Sequence, residues 1–230
     1  MYKLAVIGSR GLFGHEICKF YTPTHVYNSN NISDLAQDEF DTVICAAPSA
    51  NRRTAQADPE ADAANVDQII SVLSSQRIQR VVLIGTIDAV VNPDTAYGQN
   101  RLRLENFVKQ EFEHHYVLRF GNIVGAGIKK NVLFDLKHDQ FLDSINLDSV
   151  TQWYPLDRLQ TDIEHALSHH SYEHTLISEP IQIREIVQRF FPEKLNQVGT
   201  TPGPRANYNL PHSFSKQLVF DCMAEYVHRI

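Results

Sequence analysis

The sequence predicts an α/β protein, a doubly wound parallel sheet with a small C-terminal lobe. Three observations lead there. Short apolar runs of strand length alternate with longer amphipathic stretches between residues 3 and 120. The first run ends in three evenly spaced glycines, Gly8, Gly11 and Gly14, that open directly into a helix. Beyond Gly121 this alternation gives way to loops, short strands and short helices. Right-handed crossovers between parallel strands then place helices on both faces of the sheet.

Lys3 to Ile7 is an apolar run stopped by glycine, as expected of a buried parallel strand. Leu12 to Phe20 follows as a helix, and His25 to Tyr27 as a strand ending in the polar run Asn28-Ser29-Asn30-Asn31. Thr42 to Ala47 is a strand stopped by Pro48. The helix from Pro59 to Ser75 has proline in its first turn and Val66, Ile69, Ile70 and Leu73 on one face. Val81 to Ile84 is a strand, Tyr97 to Phe112 an amphipathic helix and Tyr116 to Phe120 a strand. Further on, the pattern predicts helices at Asn131 to Lys137, Leu156 to Ser168 and Ile181 to Phe190, and a strand at Gln152 to Tyr154. Thr200 to Pro211 reads as a loop, and Phe214 to Ile230 as a closing helix. The expected organisation is one domain over 1–230, its lobe built mainly from about 126–150 and 171–213.

With 230 residues, 43% hydrophobic and 21% charged, the chain is long enough to bury a core without disulfides or metal. A net charge of −6 argues against a nucleic-acid partner, which wants a basic face. Cys18, Cys45 and Cys222 lie far apart in apolar surroundings and are expected as buried reduced thiols. The pairs His114-His115 and His169-His170, with His165, lack the carboxylate or cysteine that would complete a metal site. The N-terminus enters a strand without a signal-peptide pattern, and no apolar run is long enough to span a bilayer, so a cytoplasmic protein is expected.

The turn Gly8-Ser9-Arg10-Gly11-Leu12-Phe13-Gly14 has the chemistry of a pyrophosphate site. Glycines let backbone N–H groups approach the anion, and the positive helix N-terminus, with Leu12 and Phe13 in its first turn, adds to them. This points to a nicotinamide dinucleotide. An acid at the end of the second strand would hold a ribose 2′-hydroxyl and repel a 2′-phosphate. Here Asn28 stands there, while Arg10 precedes the second glycine, and the combination favours NADP, with NAD as the alternative.

The GxxGxxG spacing resembles the short-chain dehydrogenase/reductase superfamily, in particular its extended branch acting on nucleotide sugars. Further segments carry the same resemblance. Asp41 to Ala47 is similar to the family's fourth strand, whose end (Ala46 and Ala47) the resemblance places along the cofactor. Asp58-Pro59-Glu60 with Asn65-Val66 is similar to a helix beside the active site. Val82 to Asp88 resembles the strand whose terminal Ser/Thr, here Thr86, supplies a catalytic hydroxyl. Tyr97 to Arg101 resembles the YxxxK segment, and Leu118 to Gly125 the "LRxxNxYG" stretch, which brings Gly121 to the cofactor and Asn122 to the substrate. Ile183 to Val187 is similar to a helix of the substrate lobe. The resemblance implies a Rossmann-type fold, hydride transfer to or from a sugar or nucleotide-sugar carbonyl, and a homodimer through the two long helices.

The chemistry can be argued from the residues too. Tyr97 and Arg101, four apart on a helix, share a face. A fixed cation favours the phenolate and is expected to lower the tyrosine pKa. Thr86 stands at a strand's C-terminal end, where ligands bind in open α/β sheets, and its hydroxyl is suited to steadying a carbonyl oxygen. Two departures bear on turnover. Arg101 replaces a lysine, and arginine does not give up its proton. Only ten residues separate Thr86 from Tyr97, about half the family's gap. The segment between the first and fourth strands of the family pattern is also short, and Arg158 replaces an acid. A non-catalytic nicotinamide-binding sensor or assembly protein is therefore the second expectation, and a lyase or mutase without net redox the third.

Overall fold

The computed structural model describes residues 2–37 and 39–228. Within them the elements run β1 (Leu4–Ile7), α1 (Leu12–Phe20), β2 (His25–Tyr27), β3 (Glu39–Cys45), α2 (Arg52–Ala57), α3 (Pro59–Ser74), β4 (Arg77–Thr86), α4 (Asp88–Val91), α5 (Ala96–Glu111) and β5 (His114–Phe120). There follow β6 (Asn122–Val124), α6 (Val132–Lys137), β7 (Val150–Thr151), β8 (Trp153–Pro155), α7 (Leu159–Leu167), β9 (Tyr172–Leu176), β10 (Ile181–Gln182), α8 (Ile183–Phe190) and α9 (Lys216–His228). The chain divides into two compact units, one of residues 1–119 and 159–174, the other of 120–158 and 175–230.

The first unit is built on a six-stranded sheet in the order β2-β1-β3-β4-β5-β9. The β1/β2, β1/β3 and β3/β4 pairs are parallel, and their register sets Ile7 beside Cys45 and Cys45 beside Leu83. The strand ends that carry Gly8 and Ala46 therefore finish level, and β4 runs three residues further to Thr86. Strands buried on both faces read as unbroken apolar runs, and Leu4 to Ile7 and Val43 to Cys45 are fully or nearly fully buried. Helix faces cover them: Val66, Ile69, Val72 and Leu73 of α3 and Leu104 and Val108 of α5 share one core with Val43, Val81 and Val117. Each such aliphatic side chain contributes about 1.5–3 kcal/mol by burial.

Both long helices start on local chemistry. The Asp58 carboxylate accepts the Ala61 N–H at 3.0 Å, with Pro59 in the first turn of α3. The Thr95 hydroxyl oxygen accepts the Gly98 N–H at 3.1 Å and so starts α5. Between them, α4 packs on α5 so closely that a Cβ at Gly98 would lie 1.9 Å from the Asn92 carbonyl oxygen.

The second unit pairs β6 with β8 in parallel and β10 with β7 antiparallel. Gln152 organises it. Its side-chain amide donates to the carbonyls of Ser178 (2.8 Å) and Leu210 (2.9 Å) and accepts the Leu210 N–H (2.8 Å). Trp153 and Tyr154 are fully buried, and the Arg158 guanidinium lies 5.0 Å over the Phe214 ring. The expected lobe segments, about 126–150 and 171–213, lie largely in this unit.

Four sequence expectations are corrected. The helix expected over 181–190 begins at Ile183, because Ile181 and Gln182 pair with Thr151 and Val150 first. The helix expected over 156–168 opens as a 3-10 turn, Leu156–Arg158, before α7. Strand β9 was not expected at all. The last helix starts at Lys216 rather than Phe214, and residues 229 and 230 lie outside the described residues. Among the described residues no helix is long and apolar enough to cross a membrane.

Candidate active site

The glycine turn is held by its own packing. The N–H groups of Gly8 and Ser9 both donate to the Tyr27 carbonyl, at 2.9 and 3.1 Å, which ties the turn to β2. Gly8 has φ +83°, and a Cβ there would lie 2.6 Å from the Ala46 carbonyl oxygen. At Gly14 a Cβ would stand 2.2 Å from the Gly8 carbonyl oxygen. So Gly8 and Gly14 close the turn, and Gly11 is the exposed one. Gly11 caps α1 without a side chain, and the first helical bond after it runs from the His15 N–H to the Gly11 carbonyl at 2.8 Å. The Leu12 amide, at the head of the first turn, thus has no intrahelical acceptor. This geometry fits a pyrophosphate, with Arg10 exposed beside it.

At the end of β2, Asn28 and Asn31 fold the chain back: the Asn28 N–H donates to Asn31 Oδ1 at 2.8 Å, and Asn28 Oδ1 accepts the Asn30 N–H at 3.0 Å. No acid stands there. On the neighbouring strand the Ala46 N–H donates to the Ile7 carbonyl at 2.9 Å, and the Ala47-Pro48 bond is cis. Thus Gly8, Arg10, Asn28, Ala46 and Ala47 all sit at the C-terminal end of β1, β2 and β3.

Tyr97, Thr86 and Arg101 come together in the first unit. Tyr97 is buried in the first turn of α5, and the Arg101 guanidinium carbon lies 4.3 Å from the centre of its ring. The Thr86 hydroxyl acts on the same phenol and helps to pull its pKa down. Arg101 is itself almost fully buried. Its Nη1 and Nη2 donate to the two oxygens of Asp62 at 3.0 and 2.9 Å, and Nη2 also donates to the Ser49 carbonyl at 2.7 Å. Three of its five N–H groups are therefore committed to α3 and the loop after β3. Asn100 adds a further bond to Asp62, at 2.8 Å.

The net effect on Tyr97 reverses the expectation. Burial pushes its pKa up; Arg101 pulls down, Asp88 pushes up, and Arg52 and the Thr86 hydroxyl pull down. Burial wins, so Tyr97 is held as a neutral phenol.

Thr86 is also more constrained than expected. Its single hydrogen goes to Asp88 Oδ2 at 3.1 Å, and its oxygen accepts the Asp88 N–H at 3.3 Å. Asp88 is buried; its carboxylate pairs with Arg52 and accepts from Asn92 Nδ2 at 2.6 Å. Asp62, Asp88 and Arg52 escaped the sequence reading. Asp88 stands only two residues from Thr86, so proximity was the available signal. Asp62 gave none, lying 39 residues from Arg101.

Gly121 and Asn122 belong to the second unit. A Cβ on Gly121 would meet the Gln152 carbonyl oxygen at 2.3 Å, and the Asn122 N–H donates to that carbonyl at 2.9 Å. Arg119, in the first unit, ties α5 to β9 by donating from Nε to Glu105 (2.8 Å) and from Nη2 to Glu173 (3.1 Å). Of the thiols only Cys45 is buried, its pKa raised to about 11 by burial; Cys18 and Cys222 are half-buried. The histidine pairs form ring contacts, His114 with His170 and His165 with His169, and His169 Nδ1 bonds the His165 carbonyl at 3.0 Å.

No protein-family model and no curated protein sequence matches the chain. Solved structures do match its fold. A double mutant of DesIV, the dTDP-glucose 4,6-dehydratase of Streptomyces venezuelae with NAD bound, superposes with TM-score 0.74 at 12% identity over 99% of this chain and 91% of that one. An epimerase from Methanothermobacter thermautotrophicus gives TM-score 0.72 at 12% identity, over 98% and 86%. The dTDP-4-dehydrorhamnose reductase of Bacillus anthracis, in complex with NADP, gives 0.67 at 15% identity over 98% of both. The chain therefore has the Rossmann-type fold shared by these dehydratase, epimerase and reductase structures.

Proposed function

We propose that the chain is an NADP-dependent enzyme of the short-chain dehydrogenase type that reduces a sugar or nucleotide-sugar carbonyl, with Tyr97 as the proton donor. The observation that carries this reading is the buried Tyr97, with Arg101 over its ring and Thr86 acting on its phenol from the C-terminal end of β4, on the same edge as the glycine turn. The turn amides and Arg10 would hold the dinucleotide phosphates, with Asn28 replacing an acid beside the adenosine ribose and Ala46 and Ala47 along its path. NAD is the alternative; the structural neighbours include complexes with each cofactor. When bound, the nicotinamide supplies the hydride. A phenol whose pKa is raised keeps its proton at neutral pH and is suited to giving it to a carbonyl oxygen as that oxygen gains charge. The same phenol is a poor base for the reverse oxidation. Asn122 and Gly121 are retained as substrate and cofactor contacts, and a homodimer through α3 and α5 is expected from the family resemblance.

The test is NADPH oxidation with a panel of keto-sugar nucleotides. Tyr97→Phe should lower kcat by about 10²–10⁴ while leaving NADPH affinity unchanged. A specific observation favours a second reading, a nicotinamide-binding protein without turnover: Arg101 is consumed by Asp62 and Ser49, where the family's lysine faces the cofactor. Tight NADPH binding with no oxidation by any carbonyl would select it.

A further inference from the structure

The buried Arg101 guanidinium joins three segments of the first unit. Its Nη2 uses both hydrogens, one on Asp62 Oδ1 at 2.9 Å and one on the Ser49 carbonyl at 2.7 Å. Its Nη1 donates to Asp62 Oδ2 at 3.0 Å, and Asn100 Nδ2 holds that same oxygen at 2.8 Å. The Tyr97 ring lies against the guanidinium, its centre 4.3 Å away. A planar fork engaged in this way has one orientation. The Ser49 carbonyl belongs to the segment 46–51 that leaves β3, and that segment begins against the glycine turn. The Ala46 N–H donates to the Ile7 carbonyl at 2.9 Å. A Cβ on Gly8 would lie 2.6 Å from the Ala46 carbonyl oxygen and 3.2 Å from the Ala47 nitrogen. At the far end, Asn51 Oδ1 accepts the Thr54 N–H at 3.3 Å and starts α2. The charge pair thus grips the middle of a segment whose head forms one wall of the glycine turn.

We infer that Asp62 and Arg101 are positioning residues for the dinucleotide site: Asp62 orients the guanidinium, the guanidinium holds the Ser49 carbonyl, and the segment from Ala46 to Ser49 is thereby kept in place beside the glycine turn. The inference rests on the reading of that turn as the dinucleotide phosphate site, and it holds with or without turnover. Arg101 acts from behind the segment, where the family pattern sets a lysine on the cofactor itself. Two substitutions separate this clasp from direct contact. Removing the Asp62 charge should, by electrostatics alone, tighten binding of an anionic dinucleotide; the clasp requires that it weaken. Arg101→Lys keeps the positive charge and would hold affinity if the charge were the contact. The clasp needs the two-nitrogen fork, which lysine lacks.

The experiment is a fluorescence titration with NADPH of wild type, Asp62→Asn, Arg101→Lys, Arg101→Met and the double variant Asp62→Asn/Arg101→Met, each checked for folding by circular dichroism. Each single variant should bind about tenfold more weakly, the scale of one charge-assisted hydrogen bond. The double variant should lose about tenfold as well, rather than a hundredfold, because both residues act through one carbonyl. In the ligand-free variants, amide hydrogen exchange at Ala46 should quicken. Unchanged or tighter binding by Asp62→Asn, retained affinity in Arg101→Lys, a multiplied loss in the double variant or unchanged exchange at Ala46 would each overturn the inference. If Asp62→Asn does not fold, Arg101→Lys and the double variant, which strands neither charge, decide it: weak binding by both supports the clasp, and wild-type affinity in either overturns it. A wild-type protein that binds neither NADPH nor NADH would refute the dinucleotide reading itself, whereas wild-type affinity in every variant refutes the clasp alone.

Discussion

Asp62→Ala is the substitution whose cost the structure defines best. The Arg101 and Asp62 side chains are 7% and 9% exposed, and two N–H···O bonds of 3.0 and 2.9 Å join them. Without the carboxylate, the guanidinium stays buried with the Ser49 carbonyl as its hydrogen-bonded partner and the Tyr97 ring beneath it. Breaking a buried pair from one side costs about 3–5 kcal/mol, because an uncompensated charge remains. For a chain this long, 1 kcal/mol moves Tm by about 2–4 °C, so the loss should be about 6–20 °C. Arg101→Met in the same chain removes the stranded charge. The double variant should therefore recover most of the loss, short of about 1 kcal/mol each for the partners abandoned at Ser49 and Asn100. Urea unfolding of wild type, both single variants and the double variant closes the cycle. A cost below about 1 kcal/mol for Asp62→Ala, or a coupling below about 0.5 kcal/mol, would show that Arg101 is not held as argued.

Three further outcomes are expected. Gly14→Ala would set a Cβ 2.2 Å from the Gly8 carbonyl oxygen, so the turn must open; NADPH affinity and Tm should fall together, and retained affinity in a fluorescence titration would argue against the turn as the phosphate site. In the reductive direction kcat should stay flat through neutral pH and decline only in the alkaline range, because the raised Tyr97 pKa keeps the phenol protonated; a decline between pH 7 and 8 would contradict this. Glu105 is fully buried with Oε1 unpartnered, and burial raises its pKa above the ordinary 4.5 against the pull of Arg119. Its ionised form is thus disfavoured in the folded chain, so the stability of wild type relative to Glu105→Gln should fall as pH rises through and above that ordinary value. Arg119 keeps Glu173 in that variant, and chemical unfolding at pH 4 and pH 7 reads the difference.

Much of the first unit was legible because its signals are local. A glycine that cannot carry a Cβ, an apolar run buried on both faces, and two side chains four apart on a helix all declare themselves within a few residues. Gly8 and Gly14, β1, β3 and the Tyr97–Arg101 pair are of that kind. What stayed hidden depends on partners distant in the chain. The Asp62 carboxylate finds Arg101 across 39 positions, and Ile181 leaves helical geometry only because Thr151 is beside it. The sign of the Tyr97 shift was missed for a related reason. A neighbouring charge can be read from spacing, but the depth of burial that outweighs it emerges only when α4 and α5 pack. Strand β9 escaped because it is an edge: Glu173 and His174 face water, and the apolar period that marks an inner strand is absent.

That edge strand matters for how the molecule is made and divided. Residues 159–174 complete a unit that the chain left at residue 119. During synthesis β5 must wait for its outer neighbour while some forty residues of the other unit are added, and Arg119 must wait 54 residues for Glu173. A cut after residue 119 would expose β5, whose Tyr116, Val117 and Leu118 are buried, as a bare apolar edge of the kind that recruits other chains. The polar face of β9 is what caps that ribbon. Neither unit can be expressed as one uninterrupted fragment, and a permuted chain that joins 159–174 directly behind 119 is the form in which the first could be isolated.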